Sequence, residues 1–455
     1  MSLYLSEERN LRLALCGDVM LTRRLAVYCE DRYLQLRNLL NEADCAFANF
    51  ESVAHTYDEG VPSTGQGTYM TTEPALLEDL KWLGIKLVSC ANNHAYNYDT
   101  SGVMVNVKHL DKAGIAHAGS GRNLGEAVAP GYIDTPAGRV GLIAASATFD
   151  EFHRATPQRH DAIGKPGLNA LGHRLVYEVD PPAFSELKRI GEGIGLEALK
   201  ARRAGWFFAP SETGAGDPDS YTFLGRRFKQ GEKFDVHTHV NKHDCELQLR
   251  QIREAKRAAD WVVVSLHSHE MGGESFLKAQ RQPDMDQPAD FVHDFARACI
   301  DEGADVFVGH GPHKLLGAEV YKGKPIIYSL GDFIMQNETV RFFPHYAYER
   351  FGLDWDATPM DFLDARTANE TKAHPAHPVY WESVVAMCDF RGGELKAIEL
   401  HPVDLGFGRS RPQRGRPLIA DEQVGNKILD DFERLSKPYG TRIERSGGIG
   451  IIPLQ

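Results

Sequence analysis

No apolar run in this 455-residue chain approaches the roughly 18 residues that a membrane-spanning helix requires, so no span is expected. The first ten residues, Met-Ser-Leu-Tyr-Leu-Ser-Glu-Glu-Arg-Asn, are acidic where a secretion signal would be basic, which points to a cytoplasmic protein. Cysteine is sparse, with seven residues (Cys16, Cys29, Cys45, Cys90, Cys245, Cys299 and Cys388) and no CxxC pair. That spacing argues against a tight disulfide framework and fits reduced thiols used as small core residues. Basic residues are also in deficit, 51 Lys and Arg against 63 Asp and Glu, a formal net charge of −12. The deficit argues against a duplex nucleic-acid partner, since phosphate binding needs a basic excess. An anionic small substrate stays possible, because a local patch or a bound cation outweighs a diffuse negative surface. Internal repeats and low-complexity segments are absent from the sequence.

Core material is present in ordinary proportion: 42% of residues are hydrophobic and 25% charged. At this length a single core stops growing, so one large domain with insertions, or a large and a small one, is expected. Leu11–Cys16, Cys45–Asn49, Lys86–Cys90, Val140–Ala145, Trp261–His267, Asp305–Val308 and Pro325–Leu330 read as buried strands. Tyr33–Asn41, Pro74–Leu83, Val103–Ala113, Glu246–Ala259 and Pro288–Glu302 read as helices between them. This alternation predicts an α/β sheet with helices on its faces. Two stretches interrupt it. Residues from about 150 to 240 are rich in His, Gly, Pro and charge, with one helix near Ala183–Arg203. Residues 337–380 hold aromatic and acidic clusters and two His-Pro pairs, read as turns. Loops of such length are usually functional; Gly164–Asn169 and Asn337–Tyr348 are the candidate lids. Strands Trp381–Phe390 and Leu395–Leu400 and a helix, Asp421–Lys437, close the chain.

In open α/β sheets, ligands bind outside the carboxyl ends of the strands. Those ends are where the polar residues fall. Asp18 follows the first strand, Asn49 and Glu51 the second, Asn92, Asn93 and His94 the third, His267 and His269 another, and His310 and His313 the next. Each side chain alone has a bland reading, as a turn residue or a helix cap. Five strand ends finishing this way are not explained so simply, and they assemble a mixed N/O donor set suited to Zn, Mn, Fe or a harder ion. In Gly-His-Gly-Pro-His, glycine and proline fix a tight turn that aims both imidazoles, His310 and His313, at one point. Of His267 and His269, His267 is the preferred ligand because the strand ends nearby.

Gly-Asp-Val-Met-Leu, Ala-Asn-Phe-Glu, Ala-Asn-Asn-His-Ala, Gly-His-Gly-Pro-His and Tyr-Ser-Leu-Gly-Asp-Phe, in this order, resemble the CapA-like family of poly-γ-glutamate capsule proteins (PGA_cap). The resemblance covers about residues 11–335 and implies a calcineurin-like metallophosphoesterase fold, a β-sandwich flanked by helices, with long loop insertions. It implies one or two divalent metal ions (Mn, Zn, Fe or Ca) held by Asp18, Glu51 as the bridging carboxylate, Asn93, His267 and His310, with His313 a further ligand or a substrate contact. His94 falls at the position of a general acid. The expected division is a catalytic domain over 1–335, with its insertion at about 150–240, completed by a lid-like insertion, strands and a helix in 336–455. Three positions depart from the pattern: Met20 replaces a usual histidine ligand, Asp332 an asparagine, and His269 a glycine.

The activity expected is metal-dependent hydrolysis of an ester or amide, a phosphoester or a γ-glutamyl or peptide-type bond. The alternatives are a metal-dependent peptide or amino-acid epimerase, with His94 opposed by His269, Asp332 or Glu270, and a non-catalytic binding or assembly protein. The substrate would be a small, anionic molecule or peptide. Asn49, Arg409 and Arg411 are candidate contacts for it, the arginines from a loop with four of them at 409, 411, 414 and 416 that also reads as plain solvated surface. The aromatic cluster Phe342, Phe343, Tyr346 and Tyr348 reads as packing for its loop.

Overall fold

A computed structural model of the chain describes residues 4–63, 67–206, 219–272 and 286–454. The chain divides into two compact units. The first comprises residues Met1–Leu171, His243–Glu270 and Ala296–Gln455, and the second Gly172–Lys242 and Met271–Phe295.

The first unit holds β1 (Leu11–Met20), β2 (Cys45–Asn49), β3 (Ile85–Ser89), β4 (Gly138–Ser146), β5 (Trp261–His267), β6 (Val306–His310), β7 (Lys324–Leu330), β8 (Asp332–Met335), β9 (Glu382–Arg391) and β10 (Glu394–Asp404). Its helices include α1 (Asp31–Asn41), α2 (Leu77–Leu83), α3 (Asp99–Ala113), α4 (Lys242–Ala258, from His243 on), α5 (Pro359–Thr367) and α6 (Glu422–Ser436). One sheet runs β10-β9-β1-β2-β3 through its centre, with β8 added beside β1. The other runs β7-β6-β5-β4. Strands β4 to β7 pair in parallel, as do β1, β2 and β3, whereas β9 joins β1 antiparallel. The C-terminal strands therefore complete a sheet that the N-terminal strand begins.

Strand alternation sends successive side chains to opposite faces. Leu13, Leu15, Phe47 and Leu87 of the first sheet share one buried cluster with Leu142, Ala144, Val263 and Val308 of the second. The two sheets are thus packed face to face. Ala14, Cys16, Ala46, Ala48 and Val88 point the other way, into a cluster with Leu36 and Leu40 of α1, Leu77, Leu80 and Leu83 of α2, and Leu110 of α3. Strands buried on both faces read as continuous apolar runs, which is why their positions were readable. The result is the expected α/β architecture, a two-sheet sandwich flanked by helices.

Several local expectations are corrected. β1 runs to Met20, past the expected end at Cys16, so Asp18 lies inside the strand, at register shifts against both β2 and β8. Such bulges re-aim side chains. Gly164–Asn169 is no lid: Gly167–Leu168 pairs with Ser120–Gly121, and the buried Asn169 amide donates to the Ala144 carbonyl (2.8 Å). In the second unit, the one helix expected near Ala183–Arg203 is two, Pro181–Gly193 and Leu196–Ala204, separated at Gly195. That unit also has a sheet the sequence reading missed, in the order Ser220–Phe223, Arg226–Gln230, His173–Val179 and Asp235–Val240. Its strands carry charge at many positions and lack long apolar runs, so cross-strand pairs such as the stacked Tyr177 and Phe228 (ring centroids 5.3 Å apart) are its visible cement. Residues 207–218 of the expected insertion lie outside the described residues.

β1 passes close to Gly331, whose carbonyl accepts from the Asp18 N–H at 3.1 Å. A Cβ on Gly17 would stand 1.8 Å from that same oxygen. Gly17→Ala is expected to lose about 1–3 kcal/mol or more of stability, read as a lower urea midpoint; an unchanged midpoint would mean β1 is not held there.

Candidate metal centre

Parallel register brings the chemistry to one level. Asp18 is in register with Asn49 of β2 on one side and Asp332 of β8 on the other. In the facing sheet, His267 of β5 is in register with His310 of β6 and Ser146 of β4. Contacts then cross between sheets. Asn49 Nδ2 donates to Asp18 Oδ1 (2.8 Å) and lies 3.2 Å from His267 Nδ1. His310 Nδ1 lies 3.2 Å from Asp18 Oδ1, and the Gly311 N–H donates to Asp18 Oδ2 (3.1 Å).

Glu51 sits among these groups. Its Oε1 lies 3.7 Å from His94 Nε2, 3.8 Å from His267 Nε2 and 3.7 Å from His313 Nε2. All three separations exceed a hydrogen bond. His267 Nε2 and His269 Nε2 are 3.2 Å apart, and His313 Nδ1 is 2.9 Å from Asp332 Oδ1. Two donor groups result, Glu51 with His267 and His269, and Asp18 with Glu51, His313 and Asp332; within each, the donor atoms lie within 4.8 Å of one another. Glu51 belongs to both.

Both Glu51 oxygens, both His310 ring nitrogens, Asp332 Oδ2 and Asn93 Oδ1 are buried with no hydrogen-bond partner. A buried carboxylate left so costs several kcal/mol. These residues therefore fit one or two divalent cations, which satisfy clustered carboxylate and imidazole donors together.

Burial raises Glu51 well above the carboxylate range, against the charge of His313, and Asp18 and Asp332 add to the rise. Burial pushes Asp332 up to about 6 even with His313 beside it. For Asp18 burial acts upward as well, but contact with His310 and the charges of His267 and His313 prevail and hold it well below its usual range. His313 goes the other way from its burial: Glu51, Asp332 and Asp18 raise it to about 10. Burial, with neighbouring histidines, lowers His267 far below its ordinary value and His269 to about 3, leaving both rings neutral and able to ligate.

His94 is held by its other nitrogen. Asn97 Oδ1 accepts the Met70 N–H (3.1 Å) and lies 2.7 Å from His94 Nδ1. An oxygen already accepting from a backbone N–H calls for a proton on Nδ1, which leaves the Nε2 lone pair facing Glu51. Burial, with the charges of His313 and Arg366 and against the Asn97 hydrogen bond, pushes this ring down to about 4.

The backbone is constrained here too. His313 has φ 57, a left-handed conformation that a non-glycine residue adopts at a cost. Gly311 has φ 106, and a Cβ there would meet His269 Cδ2 at 2.9 Å.

Asp18, Asn49, Glu51, His94, His267, His269, His310, His313 and Asp332 thus lie in one connected cluster, with Asn93 adjoining His94. Met20 is buried with Phe333, Ile334 and Met335 on the opposite face of the sheet. Donors beside Asp18 come instead from His313 and Asp332. Arg411 is a correction: it pairs with Asp364 (2.7 Å) and Glu370 (2.9 Å), so its charge is already used. Arg409 is exposed, and its carbonyl accepts from Arg414 Nη1 (3.2 Å). Arg414, only 3% exposed, completes a clamp on Glu338 and Glu370 (2.6 and 2.8 Å). Four arginines in one loop read as a ligand site or as free surface because their partners are distant in sequence.

Two residues escaped the sequence reading. Asn97 lies three positions after His94, a spacing that a search for a ring-orienting partner would have found. His374, expected in a turn, has its ring 5.3 Å from that of His313 and 4.6 Å from that of Tyr380. No local signal marks it, since the contact spans 61 positions by residue number (374 − 313).

Fold and site together define an α/β sandwich protein with a candidate dinuclear metal centre at the carboxyl ends of its strands. Residues 12–337 match the family described as "Bacterial capsule synthesis protein PGA_cap", and the chain belongs to that family. It is 31% identical over 456 residues to "Uncharacterized protein y4sH" of Sinorhizobium fredii, covering 96% of this chain and 92% of the relative. It is 22% identical to "Capsule biosynthesis protein CapA" of Bacillus anthracis over 74% of this chain and 62% of that one. "PGA biosynthesis protein CapA" of Bacillus subtilis is 37% identical over 28% of this chain and 31% of its own length. Among solved structures, a putative 5'-nucleotidase from Staphylococcus aureus in complex with alpha-ketoglutarate aligns with a TM-score of 0.37 and 11% identity, covering 92% of this chain and 58% of that one. Among the described residues no helix is long and apolar enough to cross a membrane.

Two outcomes test this geometry. Glu51→Gln exchanges a carboxyl whose neutral form burial already favours for a neutral amide, so the metal-free protein is expected to keep its stability within about 1 kcal/mol while bound metal falls by at least one equivalent. Thermal melts with and without manganese, beside mass-spectrometric metal analysis, read both effects; full metal content in the variant would remove Glu51 from the ligand set. Arg414→Ala leaves the buried Glu338 carboxylate only the more distant Arg411 (3.6 Å) and is expected to cost roughly 3 kcal/mol in urea unfolding. A loss below half a kcal/mol would show the clamp to be incidental.

Proposed function

We propose that the chain is a metal-dependent hydrolase acting on an ester or amide, a phosphoester or a γ-glutamyl or peptide-type bond. The observation that carries this reading is Glu51, a buried carboxylate whose oxygens have no hydrogen-bond partner and which belongs to two donor groups at once. A shared carboxylate is how a protein holds two ions close enough to act on one substrate. One ion would be held by Glu51, His267 and His269, the other by Asp18, Glu51, His313 and Asp332, with His310 and Asn93 as further donors. When bound, such cations supply an acidified water and polarise a phosphoryl or carbonyl oxygen.

The chain's own residues do the rest. Asn49 fixes the Asp18 carboxylate and faces His267, so it orients ligands on both sheets. His94, its Nδ1 held by Asn97, presents an unprotonated Nε2 to the centre. That nitrogen takes a proton from the attacking water, and the same proton passes to the departing oxygen or nitrogen as the bond breaks. Relatives named for PGA and capsule biosynthesis support including γ-linked amides among the substrates. The epimerase reading is less well supported, because the partners it needs opposite His94 are engaged: Glu270 accepts from Thr148 and Ser268 (2.9 and 2.8 Å), Asp332 lies against His313, and His269 lies against His267 (3.2 Å).

The test is turnover of p-nitrophenyl phosphate, bis-p-nitrophenyl phosphate and γ-glutamyl-p-nitroanilide by manganese- or zinc-loaded protein. Chelator-sensitive release of chromophore from at least one is expected; silence from fully loaded protein on all three would refute the proposal for these bond classes. His94→Gln should lower kcat on the responsive substrate by about 10²–10⁴-fold with metal content unchanged. An undiminished rate would exclude His94 from proton transfer.

A further inference from the structure

β5 ends at His267, yet His269 keeps to the same side, with the two Nε2 atoms 3.2 Å apart. Alternation holds residues i and i+2 on one face only while the backbone stays extended, and ladder hydrogen bonds normally enforce that. The ladder stops here. A last backbone bond towards β4 runs from the Ala147 N–H to the His267 carbonyl (2.8 Å). The next donor on that side, the His269 N–H, goes to a side chain instead, Thr148 Oγ1 at 2.7 Å.

Thr148 is held in turn. Its hydroxyl has one proton, which it gives to Glu270 Oε2 (2.9 Å), an oxygen that also accepts from Ser268 Oγ (2.8 Å). A carboxylate only accepts, so the relay has one direction: the His269 N–H donates to Thr148, and Thr148 to Glu270. The Thr148 carbonyl accepts from Ser146 Oγ (2.9 Å), which ties the residue to the end of β4. On the other side the Ser268 N–H donates to the His310 carbonyl (2.8 Å). Gly311 packs there so closely that a Cβ on it would stand 3.0 Å from the Ser268 oxygen. His269 is thus stitched between the ends of β4 and β6, and the stitch to β4 is made by side chains. Among the described residues, neither Thr148 nor Glu270 belongs to either donor group of the centre.

We infer that Thr148, oriented by Glu270, is a positioning residue that holds His269 on the ion shared with Glu51 and His267. Glu270 then has a supporting part and not an acid–base one. Outer hydrogen bonds of this kind set the direction of a ligand, and their loss costs about ten- to a hundredfold in metal affinity. The inference rests on the two-ion reading of the centre and not on hydrolysis.

The experiment is titration of cobalt(II) into the metal-free full chain, read by calorimetry and by visible absorption, whose bands report imidazole ligation. Wild type is compared with Thr148→Val, Thr148→Ser, His269→Ala and the variant carrying both Thr148→Val and His269→Ala. Wild type is expected to take two ions. In Thr148→Val one ion should bind at least about tenfold more weakly with altered absorption, and the other within about twofold of wild type. Thr148→Ser should restore the affinity. The double variant should lose no more than His269→Ala alone, because the hydroxyl acts through that residue. Unchanged affinities in Thr148→Val, equal weakening of both ions, or additive losses in the double variant would overturn the inference and leave the two-ion reading standing. Fewer than two ions in wild type would sink that reading and the inference with it. If Thr148→Val fails to fold, Glu270→Met, which removes the acceptor of the Thr148 proton, is read for the same outcomes.

Discussion

Three carboxylates, Asp18, Glu51 and Asp332, are buried together where the ends of two sheets meet, and their repulsion and lost hydration shape what surrounds them. In water each would be solvated; here only Asp18 has donors enough, from Asn49 and Gly311. The chain compensates in part by placing a proton on His313, which the carboxylates raise to about 10. A divalent cation would meet the same demand with twice the charge, at donor atoms that have no hydrogen-bond partner.

The scaffold makes that arrangement possible through register. A parallel strand delivers its C-terminal residue at a fixed level relative to its neighbours, so Asn49, Asp18 and Asp332 form one row, and Ser146, His267 and His310 another. The apolar interior between the sheets, from Leu13 and Phe47 to Val263 and Val308, sets the distance between the rows. Interiors of this density deform little, and preorganised ligands need that rigidity. The bulge in β1 and the close passage of Gly17 by Gly331 turn Asp18 inward, while Met20, two residues on, falls into the opposite core.

Around this rigid base, residues 337–381 bring in groups that the strands do not supply. Phe362 of α5 packs with Tyr69 and Tyr348, seating the helix. The Arg411 and Arg414 clamp ties Glu338 to Glu370, and the strained stretch between α5 and His374 is stabilised by that tie. A loop of four arginines thus contributes to the site indirectly, by fixing the course of a neighbouring segment.

How much was legible in the sequence follows from where each signal is local. β1, β2, β5 and the helices between were readable because doubly buried strands are short apolar runs. Asp18, Glu51, His94, His267 and His310 were readable as candidates because strand ends are where such a sheet presents its polar residues. The four-stranded sheet of the second unit was not, since its strands alternate apolar and charged residues too irregularly to stand out. Nor were His374 or the partners of Arg411 and Arg414, whose contacts join positions far apart in the chain. By itself the sequence determined the α/β architecture, the family and the identity of most polar residues at the strand ends. Only the tertiary structure decided which of them lie within reach of one ion, which nitrogen of His94 faces the centre and which carboxylates Arg411 and Arg414 hold, because those depend on distances between side chains that neither periodicity nor spacing encodes.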